Sequence, residues 1–67
     1  MASVFFNPPN EDGKIRTTDG RFVGEFLRAD GKLTGIAVVD TVTDDGAFVL
    51  DLAAARRWAA DQIERGV

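Results

Sequence analysis

Hydrophobic and polar residues alternate through the middle of the chain, in two stretches that meet at Asp30-Gly31. A period of two is typical of β-strands, whose successive side chains point to opposite faces. An Asp-Gly pair between two such stretches predicts a two-residue hairpin turn, because both residues accept positive φ. With this pair as the turn, Phe22 lies opposite Val39. One face of the hairpin then carries apolar or small residues, namely Phe22, Gly24, Phe26, Leu33, Gly35, Ala37 and Val39.

The other face of the predicted hairpin is mixed, with charged residues between aliphatic ones. Its aliphatic members, extended into the next strand, are Val23, Leu27, Ile36, Val38, Val42 and Val49. One helix cannot cover both faces of a sheet, and this many uncovered aliphatic side chains exceed ordinary scattered exposure. Either the N-terminal arm folds over part of this face or another chain covers it, and we predict Val23, Ile36 and Val38 as residues that contact another protein.

A further strand is predicted after the corner "TDDG", which is a second turn signal. A loop of two or four residues there places Phe48 and Leu50 on the same face as Phe22, whereas a three-residue loop does not. The expected strands are 21–28, 33–42 and 47–51.

The last segment, "LAAARRWAADQIER", is rich in strong helix formers. Asp51 is placed to cap its N-terminus, and Gly66 is a natural residue just past its C-terminus. A narrow apolar stripe is predicted on it, formed by Leu52, Ala55, Ala59 and Ile63. Because this stripe is mostly alanine, the helix can approach the glycine-containing face of the sheet closely. The predicted fold class is α+β: a small antiparallel β-meander of three or four strands with one C-terminal α-helix packed on one face.

Length and composition limit how such a fold is stabilised. The chain has 67 residues and neither cysteine nor histidine, so disulfides and the usual zinc sites are excluded. A core of this size rarely supplies more than ~3–5 kcal/mol. Regular packing, self-association or a partner must provide the rest. We expect one small domain at 12–67, preceded by an extended arm at 1–11.

The repeated Asp-Gly pairs raise the question of ion or phosphate loops. A calcium loop needs carboxylates at alternating positions and a distal glutamate, and a phosphate loop needs a glycine-rich run before a helix. Neither pattern is present, so we interpret the pairs as turns. The usual general bases and thiol nucleophiles are missing, and the single serine, Ser3, lies in the arm. We expect no enzymatic activity, no cofactor and no metal.

The arm and the tryptophan are candidates for protein contacts. If Val4 to Phe6 is extended, Phe5 and Phe6 point to opposite sides, and a thin domain can bury one of them. Pro8 stiffens the segment and limits ladder bonding. The arm is either an edge strand that closes the core or a segment that docks on a neighbouring chain. Trp58 lies about 100° from the centre of the apolar stripe, as either a border residue over the sheet or an interface anchor.

Charge and hydropathy narrow the range of partners. The net charge of −3 argues against a general nucleic-acid binder, which normally presents a basic surface. No apolar run approaches the ~20 residues needed to cross a bilayer, and the start of the chain lacks the pattern of a signal peptide. We expect the cytoplasm, or the host cytoplasm or virion for a viral protein. The order of sheet and helix is similar in architecture to the arm-binding domains of phage-type integrases and to MbtH-like proteins. The first are basic and the second carry tryptophans in and after the sheet, so neither family is assigned.

Three functions are compatible with these features. The first is a non-enzymatic interaction or assembly module, a structural subunit or adaptor of the kind common among small phage and mobile-element proteins. The second is an acidic inhibitor that occupies the nucleic-acid site of a host protein, and the third is a DNA-binding accessory domain. The inhibitor requires clustering of Glu25, Asp40, Asp44 and Asp45. The DNA-binding domain would use Arg16, Arg21 and Arg28.

Overall fold

A computed structural model of the protein describes residues 3–66; the outermost residues of the predicted arm and domain, 1–2 and 67, lie outside it. Four antiparallel strands form one sheet in the order β1-β2-β3-β4, and one helix follows them. The elements are β1 Lys14–Arg16, β2 Phe22–Ala29, β3 Lys32–Asp40, β4 Gly46–Val49 and α1 Leu52–Glu64. The predicted α+β fold, a meander with one C-terminal helix, is confirmed, and the meander has four strands.

The hairpin between β2 and β3 turns where the Asp-Gly signal predicts. Asp30 has φ 54° and Gly31 has φ 75°, the positive values that a type I′ turn requires. The turn between β3 and β4 differs from this hairpin turn in that its glycine, Gly46, does not have positive φ. The residue with positive φ there is Asp44, at 66°. Ala29 pairs with Lys32 beside the first turn, so the register begins as expected.

A β-bulge then changes the register of this hairpin. Leu27 pairs with Gly35 and Arg28 pairs with Leu33, so Thr34 is an extra residue on β3. Its hydroxyl donates to the carbonyl of Leu27 at 3.1 Å. Beyond the bulge Phe22 pairs with Asp40 instead of Val39, so the predicted register is wrong there. A shift of one residue exchanges the two faces of a strand.

The inversion also reaches β4, because β4 pairs with β3. The side chains directed toward the helix include Ile15, Phe22, Phe26, Ile36, Val38, Ala47 and Val49. Ile36 and Val38 are each 1% exposed, so their predicted place on an uncovered face is wrong. Phe48 and Leu50, predicted to face the helix, are 59% and 74% exposed.

The helix begins and ends where the sequence predicts, but its buried stripe is rotated. The Asp51 carboxylate accepts from the backbone N–H of Ala54 at 2.8 Å, and Gly66 adopts a φ of 76° past the last turn. The fully buried helical residues are Ala55, Ala59 and Gln62. The predicted members at the edge of the stripe, Leu52 and Ile63, are 40% and 37% exposed. Turning the helix this way brings Trp58 over the sheet, where its ring meets Phe22 edge-on with centroids 6.1 Å apart.

The N-terminal segment lies along the outer side of β1 and contributes to the core. Val4 is buried with Phe22 and Ala59. Phe6 forms an isolated bridge with Thr17, and the Asn7 N–H donates to the Arg16 carbonyl at 2.9 Å. The described part of the arm is therefore packed against the domain.

Candidate docking surface

The densest group of polar side chains lies where β2, β3 and α1 meet. Asp40 is 0% exposed, and both of its oxygens accept from the Arg21 guanidinium, at 3.0 and 2.9 Å. The carboxylate also accepts from the Val42 N–H at 3.0 Å and from the Gln62 amide at 3.2 Å. The paired Arg21 guanidinium, helped by these other donors, holds the pKa of Asp40 well below its usual range despite the opposing effect of burial. The group is an ionised, fully bonded carboxylate in the interior.

This arrangement ties the parts of the fold together. Gln62 also donates to Thr43 Oγ1 at 3.2 Å and to Asp45 at 3.1 Å, so the end of the helix is joined to the loop before β4. Every buried side-chain nitrogen and oxygen in residues 3–66 has a partner. Within the same residues no group of three or more metal-ligating side chains comes together. We interpret the group as a polar cross-link in a domain that has no cysteine.

Part of this cross-link follows from the predicted register, which pairs Phe22 with Val39 and so places Arg21 opposite Asp40. The one-residue shift in the structure changes the partner that faces Arg21, but Asp40 stays within reach of the long arginine side chain. Gln62 was missed. A glutamine in a helix gives no signal of its own, and its burial depends on how the helix is rotated when it packs on the sheet.

The opposite side of the sheet, which we call the open face, is not covered by the helix. Pairing across the strands defines its rows. One row runs from Arg16 through Val23 and Val39 to Gly46. The next runs from Lys14 through Glu25 and Ala37 to Phe48, and a third joins Leu27 to Gly35.

Phe48 is the largest side chain of the open face, and the tip of its ring lies directly over Gly35. A Cβ atom added at Gly35 would lie 2.9 Å from two atoms of the Phe48 ring and closer still to its tip. Phe48 nevertheless remains 59% exposed, and Val39 beside it is 37% exposed. Two apolar side chains of the open face are therefore exposed to solvent.

A shallow groove of about 660 Å³ runs along the same face toward β1. Pro8 and the asparagines on either side of the proline pair form one wall, and Val23 and Val39 contribute to the floor. Two of the predicted interaction residues, Pro8 and Val23, are thus brought together. Ile36 and Val38 are not part of it, because the bulge directs them into the core.

The open face is also electrostatically distinct from the remainder of the protein. By strand pairing it carries three basic residues, Lys14, Arg16 and Lys32, and one acidic residue, Glu25, for a net charge of +2. The whole chain carries −3, so all other surfaces together carry −5. The net charge of the whole chain is therefore the sum of two unlike parts. The open face is apolar with basic margins, and the rest of the molecule is acidic.

The other predicted interaction residues lie away from the open face. Phe6 packs against the core, whereas Phe5 is 66% exposed, so the two rings point to opposite sides as an extended segment requires. The Arg56 guanidinium lies 4.1 Å from the centre of the Phe5 ring, and its Nε donates to the Val4 carbonyl at 2.9 Å. Trp58 packs against both core clusters. Contact of Phe5, Phe6 or Trp58 with another chain stays a prediction.

Comparison with family models, with curated proteins and with solved structures found no match to this chain. Among residues 3–66, no helix has the length and apolar character required to cross a membrane.

Proposed function

We propose that this protein is a non-enzymatic docking module that binds another protein on the open face of its sheet. The observation that carries the proposal is the exposure of Phe48 and Val39 on a hydrogen-bonded sheet. Exposed aromatic and aliphatic side chains in one patch are typical of protein contact sites, because contact removes their apolar area from water. The groove beside Pro8 and Val23 extends this surface toward β1.

The two alternatives lose support in the folded chain. An acidic inhibitor would present Asp40 with the other carboxylates, but Asp40 is fully buried and bound to Arg21. A DNA-binding face would combine Arg21 with Arg16 and Arg28. Arg21 is engaged in the same pair, and Arg28 lies at the hairpin tip, where it donates to the Gly31 carbonyl.

The two exposed phenylalanines provide a matched test, because Phe48 lies on the open face and Phe5 lies on the arm beside the helix. The wild-type protein and the variants Phe48→Ser and Phe5→Ser are immobilised and exposed to lysate of the cells in which the protein occurs. Captured proteins are quantified by mass spectrometry. Circular dichroism and thermal melting confirm that each variant is folded.

We expect one or more proteins to be captured equally by wild type and Phe5→Ser, and at least tenfold less by Phe48→Ser. The reverse pattern would place the contact on the arm and overturn the proposal. Capture that neither change affects, or no capture by the wild type, would also overturn it.

A further inference from the structure

The outer side of β4 offers unpaired backbone groups beside the open face. The Asp40 N–H donates to the Asp45 carbonyl at 2.8 Å. Hydrogen-bonded and non-bonded pairs alternate along an antiparallel ladder, so Ala47 and Val49 exchange bonds with β3. Gly46 and Phe48 then direct their N–H and C=O groups away from the sheet. In the described part of the chain no strand lies on that side.

The two edge strands of the sheet, β1 and β4, differ in how well they are protected from pairing with another chain. Folded proteins protect an edge strand with charges, prolines, bulges or a covering segment. β1 is short, carries Lys14 and Arg16, and is flanked by the arm with its two prolines. β4 has the sequence "GAFV" with none of these residues, and its register with β3 is unbroken. The unprotected edge is the one next to Phe48.

The charges around β4 indicate what kind of strand fits this edge. Asp44 and Asp45 precede β4, and Asp51 follows it. All three are exposed. An added strand with basic residues at both ends would meet opposite charges at both ends, while its centre would lie beside an uncharged strand.

A second copy of this chain is a poorer occupant on the same grounds. Antiparallel pairing centred on Phe48 places Asp45 of one copy opposite Asp51 of the other, twice. Pairing centred on Ala47 places Asp44 opposite Leu50. Like charges directly opposite one another destabilise a strand pair, and each copy carries a net charge of −3.

We propose that the partner of the open face is a protein with an extended segment, apolar at alternate positions and basic at both ends, which adds as a fifth strand to the outer edge of β4. Main-chain hydrogen bonds to Gly46 and Phe48 hold the segment, as in other cases of strand addition. Alternate side chains of the segment continue the apolar row beside the Phe48 ring. The inference rests on the proposed docking function and names the chemistry of its partner.

Two end-capped synthetic peptides, KKVTVTVKK and EEVTVTVEE, test this pairing with the full chain. Binding of fluorescent peptide is measured by anisotropy, and amide hydrogen exchange is followed at Gly46 and Phe48. We expect the basic-ended peptide to bind at least tenfold more tightly than the acidic-ended one and to slow exchange at both amides. Its affinity should fall as salt is raised, because exposed charges are screened.

Two substitutions at one position separate the edge from the face. Phe48→Ala removes the ring but keeps the outward N–H, whereas Phe48→Pro removes both; proline is tolerated where an edge N–H faces solvent. We expect Phe48→Pro to bind KKVTVTVKK at least tenfold more weakly than Phe48→Ala. Circular dichroism establishes that both variants are folded.

The contrary outcomes are distinct. Equal binding by Phe48→Ala and Phe48→Pro would place the peptide on the face, overturning strand addition and leaving the docking function intact. Failure of KKVTVTVKK to bind, or equal affinity for the acidic-ended peptide, would overturn the inference. Concentration-dependent dimerisation of the protein that protects the Phe48 amide would assign the edge to a second copy and overturn it too. Loss of cellular capture in Phe5→Ser alone would instead overturn the docking function.

Discussion

The two faces of the sheet use neighbouring residues of the same strand in opposite ways. On β3, Val38 is 1% exposed beneath the helix, and Val39, the next residue, is 37% exposed on the open face. The covered face is closed by small helical residues and ends in the buried Asp40. The open face ends in a phenylalanine that lies over a glycine and is not covered. Both faces are apolar, so hydropathy alone does not distinguish the core from a contact surface.

The difference depends on one residue in the hairpin. In a regular hairpin that starts from the same turn and has no bulge, Ala37, Val39 and Phe48 would face the helix. The extra residue at Thr34 exchanges the faces of β3 and therefore of β4, and buries Ile36 and Val38 instead. The helix packs on the face with the branched aliphatic side chains, which fill the space between sheet and helix.

Deleting Thr34 should leave both faces as they are, because Leu33 and Gly35 become neighbours and keep their partners Arg28 and Leu27. The hairpin then has a regular register in which Phe22 still pairs with Asp40, and Phe48 stays on the open face. We expect the variant to keep a cooperative thermal transition by circular dichroism. Thr34→Val keeps the bulge and removes only the exposed hydrogen bond to the Leu27 carbonyl, so its cost should stay within about 1 kcal/mol. Loss of the cooperative transition in the deletion variant would show that the bulge contributes more to folding than the register it sets.

The parts of the fold that the sequence predicts are those determined by local chemistry. The turn at Asp30-Gly31, the Asp51 cap and the helix itself follow from backbone preferences of single residues. The bulge at Thr34 has no local signature, because an unbulged hairpin also satisfies the alternation of both strands. The predicted contact residues Ile36 and Val38 were therefore placed on the wrong face of the sheet. Val23 and Pro8 lie outside the bulged strand and line the open-face groove, and their contact with another chain stays a prediction.

Removing the buried carboxylate should be the most damaging of these changes. Asp40→Ala leaves Arg21, the Val42 N–H and the Gln62 amide without their shared acceptor. Breaking a buried pair costs about 3–5 kcal/mol in general, and the lower end is appropriate because Arg21 can hydrate. For a domain of this size that is most of the stability. Chemical denaturation should therefore show a largely unfolded variant, while Asp45→Ala, which removes an exposed carboxylate from the same amide, should remain folded. Equal effects of the two changes would refute a special role for the buried member.

Acid should weaken the covered face by titrating the same group. The pKa of Asp40 is lowered in the folded state, so its contribution to stability is complete above the unfolded value of about 3.9 and is lost as the pH falls toward the folded one. We expect the free energy of unfolding to decline below about pH 5, with a smaller decline in Asp40→Asn. Urea titrations of both proteins from pH 7 to pH 3 measure the difference. Parallel curves would mean that the low pKa of Asp40 does not contribute to acid sensitivity.

The smallest predicted effect belongs to a matched pair on β3. Valine and threonine have nearly the same shape, so Val38→Thr and Val39→Thr differ only in the face that receives a hydroxyl. At Val38 the hydroxyl enters the cluster formed by Ile15, Ile36 and Ala55, and burying it should cost about 1–3 kcal/mol. At Val39 it faces solvent, and the change in stability should lie within about 0.5 kcal/mol. Urea denaturation of the two variants provides the comparison, and similar losses would mean that both faces are buried in solution. Such a result would make the open face an interface already occupied by a second copy, which sedimentation at two concentrations would reveal.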